Sequence, residues 1–474
     1  MSEQKKLYIN GEWVEGVSYQ KLYSPYDHEE IAEIPLASEE QVLSAIASAE
    51  CAKKTMKSLS AYERSQILNR VADLFEVYKE ECAQILASEN AKPIKAARGE
   101  IVRTIETYRF AADEAKRIHG ELVPLGAAQN GKGRFGYTKH EPLGVIAAIT
   151  PFNFPFNLTA HKLGPAFAAG NTVVLKPASQ TPLSGYMTAR IFEEAGLPKG
   201  ALNVITGKGG LIGDLLVKDD RVKMVTFTGS VPVGKSIREK AGLKKVTLEL
   251  GSNSGVIVDS TDDLEAVVAR CVEGAFTFAG QVCISIQRIY VKSSLYERFL
   301  ESFVNKAKSL KLGNPKDENT DVSALINASE TERIEAWLKE AKEQGATIAF
   351  GGEKQGTVLG PTIITGASNN LAVNCKEAFG PIVTIEPYEE LEEAIEKVND
   401  SEYGLQAGIY TTEIKKAFTA ADELEVGGVI INDIPSFRVD NMPYGGVKNS
   451  GTGREGVKYS TEEMTELKFI SFKL

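Results

Sequence analysis

The sequence predicts an α/β fold of two units, each built on a parallel sheet. Short apolar runs alternate with segments long enough for crossover helices, the alternation restarts midway along the chain, and the composition supplies a large core. The 474 residues are 43% hydrophobic, 25% charged and 8% aromatic, a globular balance far too apolar for a disordered chain. At roughly 150 residues per domain, the length suits about three domains, or two large ones with an appendage.

The first predicted element is helical. Within residues 61–90, Ile67, Val71, Leu74, Tyr78, Cys82 and Ile85 recur every three to four positions and form one apolar face. A polar, glycine-rich stretch at 126–136 follows, and then the pattern changes. Residues 145–149, 172–175, 202–205, 224–227 and 246–250 are short apolar runs, the mark of strands buried on both faces. Segments such as 183–195 and 231–241 have the length of crossover helices. A second series begins near Gly255 and supplies strands at 256–258, 289–291, 382–385, 406–410 and 429–431. Two such units place a ligand cleft at the carboxyl ends of their strands. Residues 465–474 alternate like a strand without a local partner, for which docking onto another subunit is one solution.

Charge narrows the partners. With 54 Lys and Arg against 64 Asp and Glu, the net charge is −10, which lacks the basic footprint that nucleic acid requires. The start, Met1-Ser-Glu-Gln-Lys-Lys, has no apolar signal core, and no run approaches the ~20 apolar residues of a membrane span. A cytoplasmic protein with no membrane association is expected. Its five cysteines are scattered without a Cys-x-x-Cys pair, and its four histidines form no His-x-x-x-His pair, so neither a disulfide frame nor a metal centre is expected.

One motif points elsewhere. Gly229-Ser-Val-Pro-Val-Gly234-Lys235-Ser236 fits the phosphate-loop pattern, and Val256-Ile-Val-Asp259 fits a metal-binding strand, so a nucleotide triphosphate hydrolase is an alternative. Against it, Pro232 deletes one of the backbone N–H groups that such a loop aims at phosphate. A Gly-Ser turn entering a helix still favours an anion, so a cofactor pyrophosphate near Ser230 is expected whatever the nucleotide.

A different set of residues carries chemistry. Phe278-Ala-Gly-Gln-Val-Cys283 puts a cysteine after a glycine turn, and Leu248-Glu249-Leu-Gly251 puts a carboxylate at the end of an apolar strand. Taken singly, these are a packed thiol and a strand-end acid. With Thr150-Pro151-Phe152-Asn153-Phe-Pro155, Lys176-Pro-Ala178, Cys375-Lys-Glu377-Ala-Phe379-Gly-Pro381 and the segment from Pro443 to Arg454-Glu455, the chain resembles the aldehyde dehydrogenase superfamily over nearly its whole length.

The resemblance implies a doubly wound NAD(P)-binding domain (1–119 and 143–250), an α/β catalytic domain (251–442) and a small β-flap for oligomerisation (120–142 and 457–474). It implies a homodimer or homotetramer, and it supplies the final strand with a partner in the flap. It makes Cys283 the nucleophile that attacks an aldehyde and leaves from a thioester. Asn153 and the Cys283 backbone N–H become the oxyanion donors, and Glu249 the base that activates hydrolytic water. Lys162 and Glu455 match positions associated with proton relay, an ordinary ion pair being the competing reading. On the cofactor it puts Thr150, Pro151 and Phe152, with Lys176 and Ser179 at the adenine-side ribose. Gly229 and Ser230 fall on the pyrophosphate, Glu377 on the nicotinamide ribose and Phe379 on the nicotinamide face.

Departures from the family pattern refine this. Ser179 stands where many NAD-using members carry Glu, which removes the repulsion of a 2′-phosphate while Lys176 remains to attract it, so NADP, beside NAD, is expected. The runs around His161, Cys283 and Arg438 resemble the branch of lactaldehyde, sulfolactaldehyde, phosphonoacetaldehyde and non-phosphorylating glyceraldehyde-3-phosphate dehydrogenases. Arg103, His161 and Arg438 are the candidates for an anionic headgroup, because Arg suits bidentate anion capture. Val282 replaces the Arg that phosphate-handling relatives often carry before the nucleophile, which leaves sulfolactaldehyde, lactaldehyde or a semialdehyde. The intact base Glu249 argues against an acylating enzyme that passes the thioester to coenzyme A. A catalytically idle binding protein on the same scaffold is a further alternative.

Overall fold

The computed structural model describes residues 3–474; Met1 and Ser2, where the N-terminal reading begins, lie outside the described residues. The apolar runs of the first series form the strands Val145–Ile149, Thr172–Lys176, Leu202–Val204, Val222–Thr228 and Lys245–Glu249. They pair in parallel in the spatial order fifth, fourth, first, second, third. The chain therefore crosses back over the first strand to lay down the fourth, and the sheet is doubly wound with its switch point between Val145–Ile149 and Val222–Thr228. Alternate side chains enter opposite cores. Ile146 and Ala148 pack with the helices on one face, whereas Val145, Ala147 and Ile149 pack with those on the other. Burial on both sides is why these strands read as continuous apolar runs.

The sheet is extended at both edges by short strands with weak patterns. Leu7–Ile9 pairs antiparallel with Leu202–Val204, and Gly451–Thr452 pairs antiparallel with Lys245–Glu249, opposing Gly451 to Glu249. That second pairing brings the C-terminal segment back beside a predicted catalytic carboxylate. The second sheet joins Gly255–Val258, Arg288–Lys292, Ile382–Tyr388, Gln406–Tyr410 and Gly428–Ile431 in parallel with Thr362–Thr365, and Thr347–Phe350 closes one edge antiparallel.

Three sequence expectations need correction. The single helix expected over 61–90 is two, Ala61–Val77 and Lys79–Glu89, parted at Tyr78; the apolar period runs through because both helices lie on the same helix, Ile94–Glu114. Docking onto another subunit is not what pairs the terminal strand: Thr465–Lys473 pairs along nine residues with Arg134–Pro142 of its own chain, the flap partner that the resemblance implies, and its other edge stays open. Residues 457–463, expected within the flap, form a helix that packs on the first unit. Val457, Ser460 and Thr461 are buried, and this helix packs on Asn157–Ala168 and Ile94–Glu114.

Candidate active site

The predicted nucleophile follows an unusual turn. Phe278, Ala279 and Gly280 all have positive φ, at 51°, 52° and 71°, a conformation that two of these three residues adopt only under strain. Packing holds them there: both non-glycine residues are 1% exposed, and a Cβ on Gly280 would lie 2.2 Å from the Gly380 carbonyl oxygen. The turn delivers Cys283 to a cavity of about 390 Å³ whose wall includes Phe154, Arg103, Phe437, Arg438 and Tyr444.

Asn153 reaches the same point from the first sheet. It lies in the turn after Val145–Ile149, and its Nδ2 donates to the Gln281 carbonyl at 3.0 Å, two residues before the cysteine. A primary amide has two N–H groups, so one remains for an oxyanion. The Asn153 backbone is fixed by Lys92, whose Nζ donates to the Asn153 carbonyl at 2.6 Å. Lys92 is wholly buried, lies 3.7 Å from the Phe154 ring centre and 4.5 Å from that of Phe278, and pairs with Glu100. The Glu100 carboxylate in turn accepts from the N–H groups of Phe156, at 2.9 Å, and Asn157, at 3.2 Å, at the start of the helix Asn157–Ala168. One buried ion pair thus braces both the amide loop and the cysteine loop.

Glu249, at the end of Lys245–Glu249, is 3% exposed, and neither carboxylate oxygen has a hydrogen-bond partner. It lies against Gly445, where a Cβ would come within 2.9 Å of its Oε1; only glycine leaves room there for the carboxylate beside Tyr444. Burial, followed by the negative charge of Glu455, raises its pKa well above the ordinary value. Glu455 behaves in the opposite way. Burial works to raise it, but Lys162 at 2.9 Å and Arg438 at 3.0 Å hold it down to about 2. Lys162 also donates to Thr228 Oγ1 at 2.7 Å. Lys162 and Glu455 therefore are an ion pair, shared with Arg438 and placed next to Glu249. The two neighbouring carboxyls are thus shifted in opposite directions.

Cys283 Sγ is 2.8 Å from Tyr444 Oη, and the Arg438 guanidinium lies 3.7 Å over the Tyr444 ring. Burial pushes the thiol up to about 11, against the pull of the Tyr444 hydrogen bond and of Arg438. The three headgroup candidates occupy different places. Arg103 lines the cavity with its side chain 30% exposed, and forks onto Asp440 at 2.7 and 3.3 Å. Arg438 also lines the cavity but is already bound to Glu455. His161 does not line this cavity: it is buried, with Nε2 2.7 Å from Asp440 Oδ1 and Nδ1 without a partner. Burial, then the charge of Arg438, lowers its pKa, so the ring is neutral and donates through Nε2 to an atom that can only accept. Asn157 Nδ2 makes a third bond to the same Asp440 oxygen at 3.2 Å. Asp440, Tyr444, Lys92 and Glu100 were not singled out by sequence, although Asp440 and Tyr444 lie inside motif segments.

The predicted cofactor residues gather at the carboxyl ends of the first sheet. Thr150 follows Val145–Ile149, is 4% exposed, and leaves its Oγ1 without a partner. Pro151 and Phe152 continue that turn, and the Phe152 ring meets Phe379 edge-to-face at 5.7 Å. Phe379 itself sits at a positive φ of 46°. Lys176 ends its strand, donates to the Pro177 carbonyl at 3.2 Å, and has its pKa lowered by burial to about 8, while Ser179 is exposed. Glu377 accepts from the Ser252 N–H at 2.9 Å, and burial raises its pKa to about 7. Gly229 donates its N–H to the Glu249 carbonyl, and exposed Ser230 precedes the helix Val231–Lys240 without capping it through its side chain. Residues 231–236 are thus already helical, and no loop remains to wrap a triphosphate. The phosphate-loop alternative fails on this geometry, whereas the uncapped helix N-terminus keeps its attraction for an anion. Among the described residues, no cluster of three or more His, Cys, Asp or Glu side chains is arranged to hold a metal ion, and no helix is long and apolar enough to cross a membrane.

Comparison with known proteins agrees over the full length. The model of the aldehyde dehydrogenase family matches residues 13–470. A 3-sulfolactaldehyde dehydrogenase of Priestia aryabhattai is 49% identical over 472 residues, covering 100% of this chain and 98% of that protein. Aldehyde dehydrogenase 21 from Physcomitrella patens, solved in complex with the reaction product succinate, superposes with a TM-score of 0.98 at 40% identity and covers 100% of this chain and 99% of its own. Glyceraldehyde-3-phosphate dehydrogenase from Methanocaldococcus jannaschii, complexed with NADP, superposes with a TM-score of 0.93 at 42% identity, covering 97% of this chain and 100% of its own.

Proposed function

The chain belongs to the aldehyde dehydrogenase family, and from that premise we propose that it oxidises a short aldehyde with an anionic or hydroxylated terminus, of the sulfolactaldehyde, lactaldehyde or semialdehyde type, to its carboxylic acid, using NADP or NAD. The observation that carries the substrate class is the charge around the cavity. Arg103 and Arg438, which line the cavity, pair with two carboxylates outside its lining, Asp440 and Glu455, both held below the usual range. The cavity wall itself carries the cations Lys92, Arg103, Arg270 and Arg438 against the carboxylates Glu100 and Glu273, a lining that suits an anionic substrate. The relative that acts on sulfolactaldehyde and the neighbour that binds succinate support the same class.

The Cys283 thiolate adds to the aldehyde carbon and forms a thiohemiacetal. The oxygen that becomes negative is met by the free Asn153 N–H and the Cys283 backbone N–H. When bound, the nicotinamide supplies the hydride acceptor. The residues present suit a dinucleotide: an unpartnered buried hydroxyl on Thr150, a buried ammonium on Lys176, an uncapped helix N-terminus at Ser230, and paired rings of Phe152 and Phe379. Ser179 and Lys176 favour the 2′-phosphate of NADP, in keeping with the NADP-bound neighbour. Glu249 then takes a proton from a water, the hydroxide adds to the thioester carbon, and the C–S bond breaks to return the thiolate. Burial and the nearby Glu455 charge raise the Glu249 pKa above the ordinary carboxylate value, the direction that strengthens a base.

The first unit would hold the cofactor and the second the nucleophile. The flap exposes Leu467 and Phe469 on one face and Phe135 and Phe472 on the other, apolar surface that supports homodimer or homotetramer formation there. Five free thiols suit a reducing cytoplasm. Asn153 bonds the Gln281 carbonyl two residues before Cys283, and Glu249 is near enough to act on the Cys283 pKa, an arrangement that favours turnover over a catalytically idle scaffold.

The test is absorbance at 340 nm with matched anionic and neutral short aldehydes, each offered NAD and NADP. Anionic aldehydes should exceed neutral isosteres in kcat/KM by about tenfold or more, about 1.4 kcal/mol. Equal values for the two sets would remove the anionic-substrate reading.

A further inference from the structure

We propose that Tyr444 is a further catalytic residue, whose phenolic O–H donates to Cys283 Sγ and stabilises the attacking thiolate, with the Arg438 guanidinium stacked on its ring to hold it there. This deepens the proposed function and rests on Cys283 being the nucleophile. The contact is 2.8 Å, and Tyr444 is 3% exposed. Its backbone is pinned on both sides: the Tyr444 N–H donates to the Glu455 carbonyl at 3.0 Å, and the Glu455 N–H donates to the Tyr444 carbonyl at 2.6 Å. Arg438 lies 3.7 Å above the ring and is itself anchored on Glu455 at 3.0 Å. The phenol therefore has little freedom to turn away from the sulfur.

The direction of the effect follows from donor capacity. Between a thiol and a phenol either group can donate, but a thiolate can only accept, so the Tyr444 O–H gains strength when the sulfur ionises. The surroundings otherwise oppose that ionisation. Cys283 is pushed up by burial and by the carboxylates of Glu249 and Glu377. From the remaining walls of the cavity it faces Arg103, Lys92 and Glu100, together with Arg270 and Glu273. The Tyr444 hydrogen bond and the Arg438 charge are what act in favour of the thiolate. Tyr444 keeps its own proton, because burial and then the Cys283 thiolate raise its pKa well above the ordinary value. It acts as a fixed donor rather than as a proton carrier.

The experiment is alkylation of Cys283 by iodoacetamide as a function of pH, in the full-length protein without substrate, read by mass spectrometry of the Cys283 peptide. Tyr444→Phe keeps the ring and the Arg438 stack and removes only the hydroxyl; Tyr444→Met removes both ring and hydroxyl. Both variants should move the alkylation midpoint up by about one pH unit, a tenfold slower rate at pH below the midpoint, and the acid limb of kcat/KM should follow. A Tyr444→Phe profile that superposes on the wild type overturns the proposal, and so does a shift seen only in Tyr444→Met, which would assign the effect to packing. The nucleophile reading fails separately, by turnover that survives Cys283→Ala.

Discussion

Replacing Glu455 by Gln should weaken the fold and yet ease deprotonation of its neighbour Glu249. Glu455 is 2% exposed and accepts from Lys162 at 2.9 Å and from Arg438 at 3.0 Å. Its pKa of about 2, against an ordinary 4.5, corresponds to about 3 kcal/mol of native-state stabilisation at 1.36 kcal/mol per pH unit. Breaking a buried pair by removing one partner costs about 3–5 kcal/mol, which agrees. The sign follows from the depressed pKa. This stabilisation is complete above pH 4.5 and is lost as the pH falls from there through 2, so the wild type and Glu455→Gln should differ at pH 7 and converge in acid. Glu249 responds in the opposite sense. Glu455 is the leading charge that raises it, whereas Lys162 and Arg438 oppose the rise and remain in the variant. The acid limb of thioester hydrolysis should therefore move down by at least about one pH unit. Urea unfolding followed by circular dichroism measures the first effect, and single-turnover decay of the acyl-enzyme measures the second. A stability change under about 1 kcal/mol, or an acid limb that stays or moves up, would refute the coupling.

Other substitutions address the remaining parts of the site. Arg103→Met should raise KM for anionic aldehydes about tenfold while changing neutral ones less than about twofold; an equal loss for both would mean that Arg103 only holds Asp440 in place. Ser179→Glu should lower kcat/KM for NADP relative to NAD by at least about tenfold, and an unchanged ratio would move cofactor choice elsewhere. Lys92→Met leaves Glu100 buried without its cation and should cost about 3–5 kcal/mol, with most of the loss recovered in the Lys92→Met, Glu100→Gln double variant. No recovery would show that Lys92 acts through Asn153 and the rings rather than through the ion pair.

The sheet strands were legible because burial on both faces leaves uninterrupted apolar runs. Cys283, Asn153 and Glu249, the proposed nucleophile, amide and base, were legible because the chemistry proposed for them fixes residue type and order in the segments around those strands. The headgroup pocket was not. His161 and Arg103 converge on Asp440, which is 279 positions from the first, so nothing local in sequence marks the carboxylate that commits both. Arg438 is a headgroup candidate by sequence, and its partner Glu455 comes from a segment that the edge strand Gly451–Thr452 returns to the first sheet. The phosphate-loop pattern, already opposed by Pro232, fails in the structure for a related reason. Its spacing is correct, but the helix begins at Val231, a property of backbone hydrogen bonding rather than of residue type. The break at Tyr78 escaped notice because two helices on one support share an apolar period.

The most direct measurement is a mass spectrum of the Glu249→Gln variant after one turnover with aldehyde and NADP. An acyl mass retained on the peptide containing Cys283, with one equivalent of NADPH formed, is the predicted result, since hydride leaves before the base is needed. Steady turnover with no acyl adduct, or an adduct on a different residue, would contradict both the nucleophile and the base.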